Sequence, residues 1–130
     1  MEKNREERIE GMTTDTLEVA TLEEQMLTVA YEAARDYFYT RLGGVDRGAC
    51  GFAWVTVYPK HNGRTREGKA ERRILEGMGF SRDWTGKGYE YWNPSQFPVQ
   101  NIDTLAAGAA AAAQLLREHG FKASAGSRLD

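Results

Sequence analysis

The spacing of apolar and polar residues in the first half of the chain predicts two helices and the strand between them. A helical stripe starts at Thr21, at the head of a capping box, and ends at Gly43. Residues 52–58 are β-branched or aromatic almost throughout, which is typical of a strand. A second helical pattern covers residues 65–76 and opens at Thr65, a good N-cap residue.

The second half of the chain predicts a hairpin, a third helix and a last strand. Residues 80–84 and 89–92 flank a glycine-bearing turn at 85–88, and a helix follows over residues 103–119. Phe121 begins a short strand, and we interpret residues 125–130 as a tail. From residue 52 the order is β-α-β-β-α-β. We therefore predict an α+β protein with a ferredoxin-like antiparallel sheet and an additional N-terminal helix.

The length and composition predict one ordinary globular domain. The chain has 130 residues and a net charge of −2; residues 1–14 read as a flexible N-terminal tail and 15–130 as the domain. The longest apolar run, the alanines of 109–113, is too short to cross a membrane, and residues 1–8 do not resemble a secretory signal. Cys50 is the only cysteine. We expect a cytoplasmic protein with no metal, no cofactor and no membrane association.

The first strand has two chemically different faces. Phe52, Trp54, Thr56 and Tyr58 share one face, because side chains alternate along a strand, and the intervening small residues share the other. The small residues suit close packing by the crossover helices. The aromatic face is then left for the N-terminal helix to cover, which is the arrangement we expect, or remains open as a binding platform.

Positive charge is concentrated in residues 60–90, with eight Lys or Arg against five Asp or Glu. Residues 63–70 (GRTREGKA) follow a strand and open a helix as a phosphate-binding P-loop does, but Ala70 replaces the hydroxyl that would hold Mg²⁺. An NTP hydrolase is thereby excluded. A phosphate or carboxylate site at the helix N-terminus, flanked by Arg64, Arg66 and Lys69, remains as a hypothesis beside a merely solvated basic helix.

Residues 87–92 (KGYEYW) resemble the start of the RNP1 motif of RNA-recognition domains, in which alternate aromatic side chains stack on bases. Glu90 departs from that motif. Tyr89 and Tyr91 would therefore either stack on a nucleic acid base or pack on Phe52 and Trp54 across the sheet.

The candidate binding residues combine the basic loop and helix with the hairpin. They are Lys60, His61, Asn62, Arg64, Thr65, Arg66, Lys69, Arg82, Lys87, Tyr89 and Tyr91. His61 could act in acid–base chemistry, but no catalytic motif accompanies it, so we assign no catalytic residues and do not expect an enzyme. The expected partner is a nucleotide or single-stranded nucleic acid; an acidic protein is the alternative.

The alanine-rich helix, with Gly108 among its small residues, has a nearly smooth surface. Such a surface allows close packing against another backbone. That backbone belongs either to the same chain or to a second copy in a homodimer.

Five segments of the chain resemble a family of small tailed-bacteriophage proteins of uncharacterised function. They are 48–55 (GACGFAWV), 62–70 (NGRTREGKA), 80–94, 100–101 and 125–130 (AGSRLD), and the resemblance covers about residues 46–130. It implies an accessory protein made in the cytoplasm of an infected bacterium. It implies no activity, and the residues themselves leave two hypotheses in that context: a protein that holds a phosphate-bearing ligand, or alternatively one that binds and inhibits a host or defence protein.

Overall fold

The computed structural model describes residues 14–130 as three helices and four strands. In chain order the elements are α1 (Thr14–Arg41), β1 (Gly51–Tyr58), α2 (Arg66–Gly77), β2 (Ser81–Arg82), β3 (Tyr89–Trp92), α3 (Ile102–Glu118) and β4 (Lys122–Leu129). The prediction of an α+β protein with an N-terminal helix is confirmed.

The four strands form one antiparallel sheet in the order β2-β3-β1-β4. β1 lies inside the sheet and pairs with β4 over its whole length, from Gly51 opposite Leu129 to Tyr58 opposite Lys122. The two edges differ in length, because β2 has two residues and β4 has eight. Residues 54–57 of β1 therefore have β3 on one side and β4 on the other, whereas Phe52 and Tyr58 pair with β4 alone.

The core lies between the sheet and the helices. Val55 and Val57 of β1 point to this side and are fully buried, together with Met26 of α1, Leu75 of α2 and Leu116 of α3. Burying each of these large side chains contributes roughly 1.5–3 kcal/mol. The alternation predicted for β1 is confirmed, and all three helices contribute to the core on the same side of the sheet.

The alanine-rich surface of α3 packs inside the chain. Ala109 and Ala112 are fully buried, and Gly108 is so close to α1 that a Cβ atom built on it would lie 3.0 Å from the carbonyl oxygen of Ala30. The same Cβ would come within 2.6 Å of the Cβ of Ser95. Internal packing, the first of the two alternatives, is what this surface serves; a homodimer through these alanines would find them already covered.

Several boundaries differ from the sequence prediction, among them that of β2, which spans Ser81–Arg82 instead of residues 80–84. Thr21 does not begin a helix: it lies inside α1, where its hydroxyl donates to the carbonyl oxygen of Leu17 at 2.9 Å. The tail predicted for residues 1–14 falls outside the described residues except for Thr14, which belongs to α1. The segment from Ala125 onward is part of β4, because pairing with β1 overrides the low strand propensity of alanine, serine and glycine.

Candidate functional site

The aromatic face of the sheet is open. Phe52 is 41% exposed and Trp92 46% exposed, and Tyr58 is exposed as well. Among the described residues no helix packs on this face, because α1 lies on the opposite side, where Met26 and Ala30 join the core. The expectation that α1 covers the aromatic residues is therefore wrong. The apolar stripe of α1 is used against α3 and the core instead.

Four side chains form what we call the open-face cluster: Phe52, Trp54, Trp92 and Arg128. Trp54 and Trp92 are directly opposite each other on β1 and β3, with ring centroids 4.8 Å apart and planes inclined by 32°. The Phe52 ring meets the Trp92 ring nearly edge-on, at 6.2 Å and 68°. These are favourable geometries for aromatic pairs, so the rings hold one another in place.

Arg128 brings a permanent positive charge to the cluster. It lies opposite Phe52 on β4, and its guanidinium carbon is 5.5 Å from the centre of the Phe52 ring and 5.7 Å from that of the Trp92 ring. Both distances are within the range of cation–π attraction. A guanidinium beside aromatic rings can still donate from its N–H groups to an acceptor such as phosphate.

Gly126 and Glu90 determine how the two indole rings lie. Gly126 is opposite Trp54, and a Cβ at that position would come within 2.6 Å of the indole atoms, so Trp54 rests directly over the β4 backbone. The indole N–H of Trp92 donates to the Glu90 carboxylate at 2.7 Å. The ring orientations are thus set before any ligand arrives.

Tyr89 and Tyr91 lie on the helix side of the sheet, so neither role predicted for them on the aromatic face fits. They pair with Val57 and Val55, which point into the core, and Tyr89 is only 2% exposed. Tyr91 is half-buried; burial and then the nearby Glu23 carboxylate, 3.5 Å from its hydroxyl, raise its pKa. The residues of β3 on the open face are Glu90 and Trp92. The charged Glu90 is the sequence signal that could have identified this face.

The basic loop before α2 is held together by its own side chains. The Glu71 carboxylate accepts hydrogen bonds from the backbone N–H groups of Lys60 at 2.8 Å and His61 at 3.1 Å. Arg72 donates from one guanidinium nitrogen to the carbonyl oxygens of His61 and Gly68. The backbone N–H groups of Lys60 and His61 are therefore already bonded to a carboxylate of the same chain.

The other polar residues predicted here have structural roles that the geometry makes clear. Thr65 is the N-cap of α2, accepting from the N–H of Gly68 at 3.0 Å, and the side chain of Asn62 accepts from the N–H of Arg64 at 2.9 Å. Arg64, Arg66 and Lys69 extend from this framework as exposed cations.

The two remaining predicted cations, Lys87 and Arg82, belong to the hairpin of β2 and β3. Lys87 belongs to the β2–β3 turn, which touches Tyr58: a Cβ built on Gly88 would lie 3.0 Å from the tyrosine ring. Arg82 is exposed on the short strand β2 and pairs with Tyr89, so its side chain belongs to the helix side of the sheet and not to the open face. Lys122, which the sequence did not single out, is opposite Tyr58 on β4. Charge thus flanks the open face at both ends, with Arg128 at the far end beside Phe52.

A shallow groove of about 480 Å³ lies on the helix side, between α1 and the loop after β3. Tyr31 and Arg35 line one wall and Gln96 the other. Asn93 and Gln96 have positive φ angles of 46° and 52°, which are uncommon for residues with side chains. The groove is largely open to solvent and lacks the aligned aromatic rings of the open face.

Within residues 17–130, no group of three or more His, Cys, Asp or Glu side chains is arranged to hold a metal ion. None of the described helices has the length and apolarity needed to cross a bilayer. Comparison with family models, with curated protein sequences and with solved structures finds no match to the chain.

Proposed function

We propose that the protein is a non-catalytic binding protein that holds single-stranded nucleic acid on the open face of its sheet. Bases stack on Trp54, Trp92 and Phe52, and Arg128 contacts the phosphate backbone. The observation that carries this proposal is the open-face cluster itself: exposed rings in mutual contact, with a guanidinium over two of them.

A row of exposed aromatic rings indicates a binding surface, because the same rings would contribute more to the stability of the fold if they were buried. Phe52 and Trp92 leave a large apolar surface in water on a sheet whose other face is well packed. Every nucleic acid base offers a flat π-surface, and stacking on an aromatic side chain contributes about 1–3 kcal/mol per base. The fixed ring orientations reduce the entropy that binding would otherwise cost.

The length of the face and the cations at its two ends fit a short single strand, although the Glu90 carboxylate also lies on this face. From Phe52 to Tyr58 the β1 backbone spans about 20 Å, at roughly 3.3 Å per residue. Arg128 supplies a cation at one end of this path, and Lys122 and Lys87 supply cations at the other. Because the whole chain carries a net charge of −2, we expect moderate affinity that falls as salt is added.

The topology supports the same proposal. Counted from the β4 edge, the strand order is β4-β1-β3-β2, and from this order and the β-α-β-β-α-β sequence of elements we infer a ferredoxin-like arrangement for the domain. RNA-recognition domains use the open face of such a four-stranded sheet to stack roughly two or three bases. The origin in a bacteriophage, with action in the bacterial cytoplasm, remains part of the proposal.

The test is a titration with fluorescently labelled single-stranded DNA and RNA oligonucleotides of mixed sequence, followed by anisotropy and by tryptophan quenching. Trp92→Ala should weaken binding roughly 5- to 150-fold, which corresponds to the loss of one stacked base. The matched control is Trp84→Ala, since Trp84 is 93% exposed in the β2–β3 turn and lies outside the cluster. That control should bind as the parent does.

The salt dependence of the binding affinity separates the proposed phosphate contact of Arg128 from its contact with the aromatic rings. Arg128→Gln should reduce the slope of log affinity against log salt by about 0.7, the value for one phosphate contact on a single strand. Arg66→Ala and Lys69→Ala should change affinity by less than about threefold, because cations outside the contact act mainly on the association rate. Equal losses in Trp84→Ala and Trp92→Ala, or no binding by the parent, would refute the proposal. In the latter case a protein partner for this face becomes the leading explanation.

A further inference from the structure

The outer edge of β4 is the longest unpaired strand edge among the described residues. β4 pairs with β1 on one side only, and no described strand pairs with its other side. The opposite edge of the sheet, β2, exposes only two residues. Natural proteins usually blunt long edges with charged side chains, of which β4 has Lys122 and Arg128, or with a proline, a bulge or a covering loop. β4 contains no proline, and its register with β1 runs without a bulge from Lys122 to Leu129.

The register identifies which backbone groups of β4 point outward. The N–H of Asp130 donates to the carbonyl oxygen of Cys50, so the groups of Asp130 face β1. Because this orientation alternates along an antiparallel ladder, Ala123, Ala125, Ser127 and Leu129 direct their N–H and C=O groups away from the sheet. Arg117 already donates to the carbonyl oxygen of Ala123 at 3.1 Å. The stretch with outward groups free for a new strand therefore runs from Ala125 to Leu129.

We propose that a second copy of this chain occupies this edge, with its β4 antiparallel to the first and the two-fold axis at Ser127. In this register Ser127 pairs with Ser127 of the second copy, and Ala125 pairs with Leu129 of the second copy. Each such pair exchanges two backbone hydrogen bonds. The register uses the outward groups that are free and leaves the contact of Arg117 with Ala123 intact.

The side chains agree with this register on both faces. On the helix side, Leu129 is 66% exposed and Ala125 is exposed, and each covers the other across the axis. On the open face, Arg128 lies opposite Gly126 of the second copy, where there is room for it. Asp130 lies opposite Ser124 of the second copy and diagonal to Lys122 of that copy. The long lysine side chain can reach the Asp130 carboxylate, which has the opposite charge.

The dimer has a continuous sheet with both open faces on the same side. A strand edge buries less area than a standard interface, so we expect a dissociation constant in roughly the micromolar range. This inference does not depend on nucleic acid binding, because it rests on the unpaired backbone groups and the side chains of β4.

Sedimentation velocity of the purified chain over a concentration series tests the proposal. Ser127→Pro removes an outward N–H without breaking the ladder with β1, and should raise the dissociation constant at least tenfold. Ser127→Ala keeps the N–H and should dimerise as the parent does. A parent that is monomeric up to about 500 µM, far above a micromolar constant, would overturn the proposal.

Disulfide trapping tests the register, and it remains informative if the proline variant does not fold. In a Cys50→Ser background, Ser127→Cys should form a disulfide-linked dimer on mild oxidation. Hydrogen-bonded antiparallel pairs have Cα atoms about 5.5 Å apart, which a disulfide can bridge. Ser124→Cys is the control, because Ser124 faces Asp130 of the second copy instead of itself. Equal trapping of the two variants, or a dimer that Ser127→Pro does not weaken, would refute pairing at this edge.

Discussion

Replacing Gly108 by alanine has two effects of opposite sign on the free energy of unfolding. Gly108 is in the middle of α3, and in an isolated helix alanine would be more stable than glycine by about 0.5–1 kcal/mol. Here the added Cβ would lie 2.6 Å from the Cβ of Ser95 and 3.0 Å from the carbonyl oxygen of Ala30. Carbon atoms in contact are normally about 3.5–4.0 Å apart, so α1 and the loop carrying Ser95 must move.

The clash should outweigh the gain in helix propensity. Overpacking of a core by one methyl group costs about 1–3 kcal/mol, which leaves a net loss of up to about 2.5 kcal/mol. We expect the midpoint of urea unfolding, followed by tryptophan fluorescence and circular dichroism, to fall with little change in the denaturant slope. Ala110→Gly provides the matched control, because Ala110 is exposed on the same helix and reports the propensity effect alone.

A double mutant locates the strain. Ser95→Gly removes the nearest atom, so Gly108→Ala should be less destabilising in that background, with a coupling energy of about 0.5–1.5 kcal/mol. The reasoning is refuted if Gly108→Ala stabilises the protein by about as much as Ala110→Gly destabilises it. That result would mean that α1 and α3 are not in close contact at this point.

Two tyrosines on β3 give further predictions. Tyr89→Phe should be neutral or stabilising by up to about 1–2 kcal/mol in thermal and urea unfolding, because the buried Tyr89 hydroxyl has no hydrogen-bond partner among the described residues; a clear loss would show that the hydroxyl has one. Tyr91 should make stability fall at high pH. Its folded pKa is raised, so its contribution is complete below about pH 10 and is lost as the pH rises through the folded pKa. The Tyr91→Phe variant should lack this part of the fall, as measured by urea unfolding at several pH values, and an unchanged profile would contradict the assignment.

Local signals in the sequence were sufficient for most of the secondary structure. The cap at Thr65, the two faces of β1 and the glycine-bearing turn after β2 each depend on neighbouring residues, and each is present as predicted. The position of α1 was not predictable in this way. Its apolar stripe fits either side of the sheet, and the close approach to α3 at Gly108 determines on which side α1 lies.

The candidate site was only partly predictable for a related reason. Phe52 and Trp54 were placed correctly on one face, but the faces of β3 were exchanged, which moved Tyr89 and Tyr91 onto the site and left out Trp92. A shift of one residue reverses every side chain of a strand. Arg128 was missed because it was assigned to a tail, and only its pairing with Phe52 brings it to the cluster.

The Glu71 carboxylate accepts two backbone hydrogen bonds from the loop after β1, so it competes with any free anion for the same N–H groups. A carboxylate attached to the same chain is present at an effective concentration of millimolar or more, so a free anion must exceed that to displace it. The N–H groups of Lys60 and His61 are therefore already occupied by Glu71. The exposed cations around it, Arg64, Arg66 and Lys69, remain able to attract a polyanion from a distance and to increase its rate of arrival at the rest of the surface.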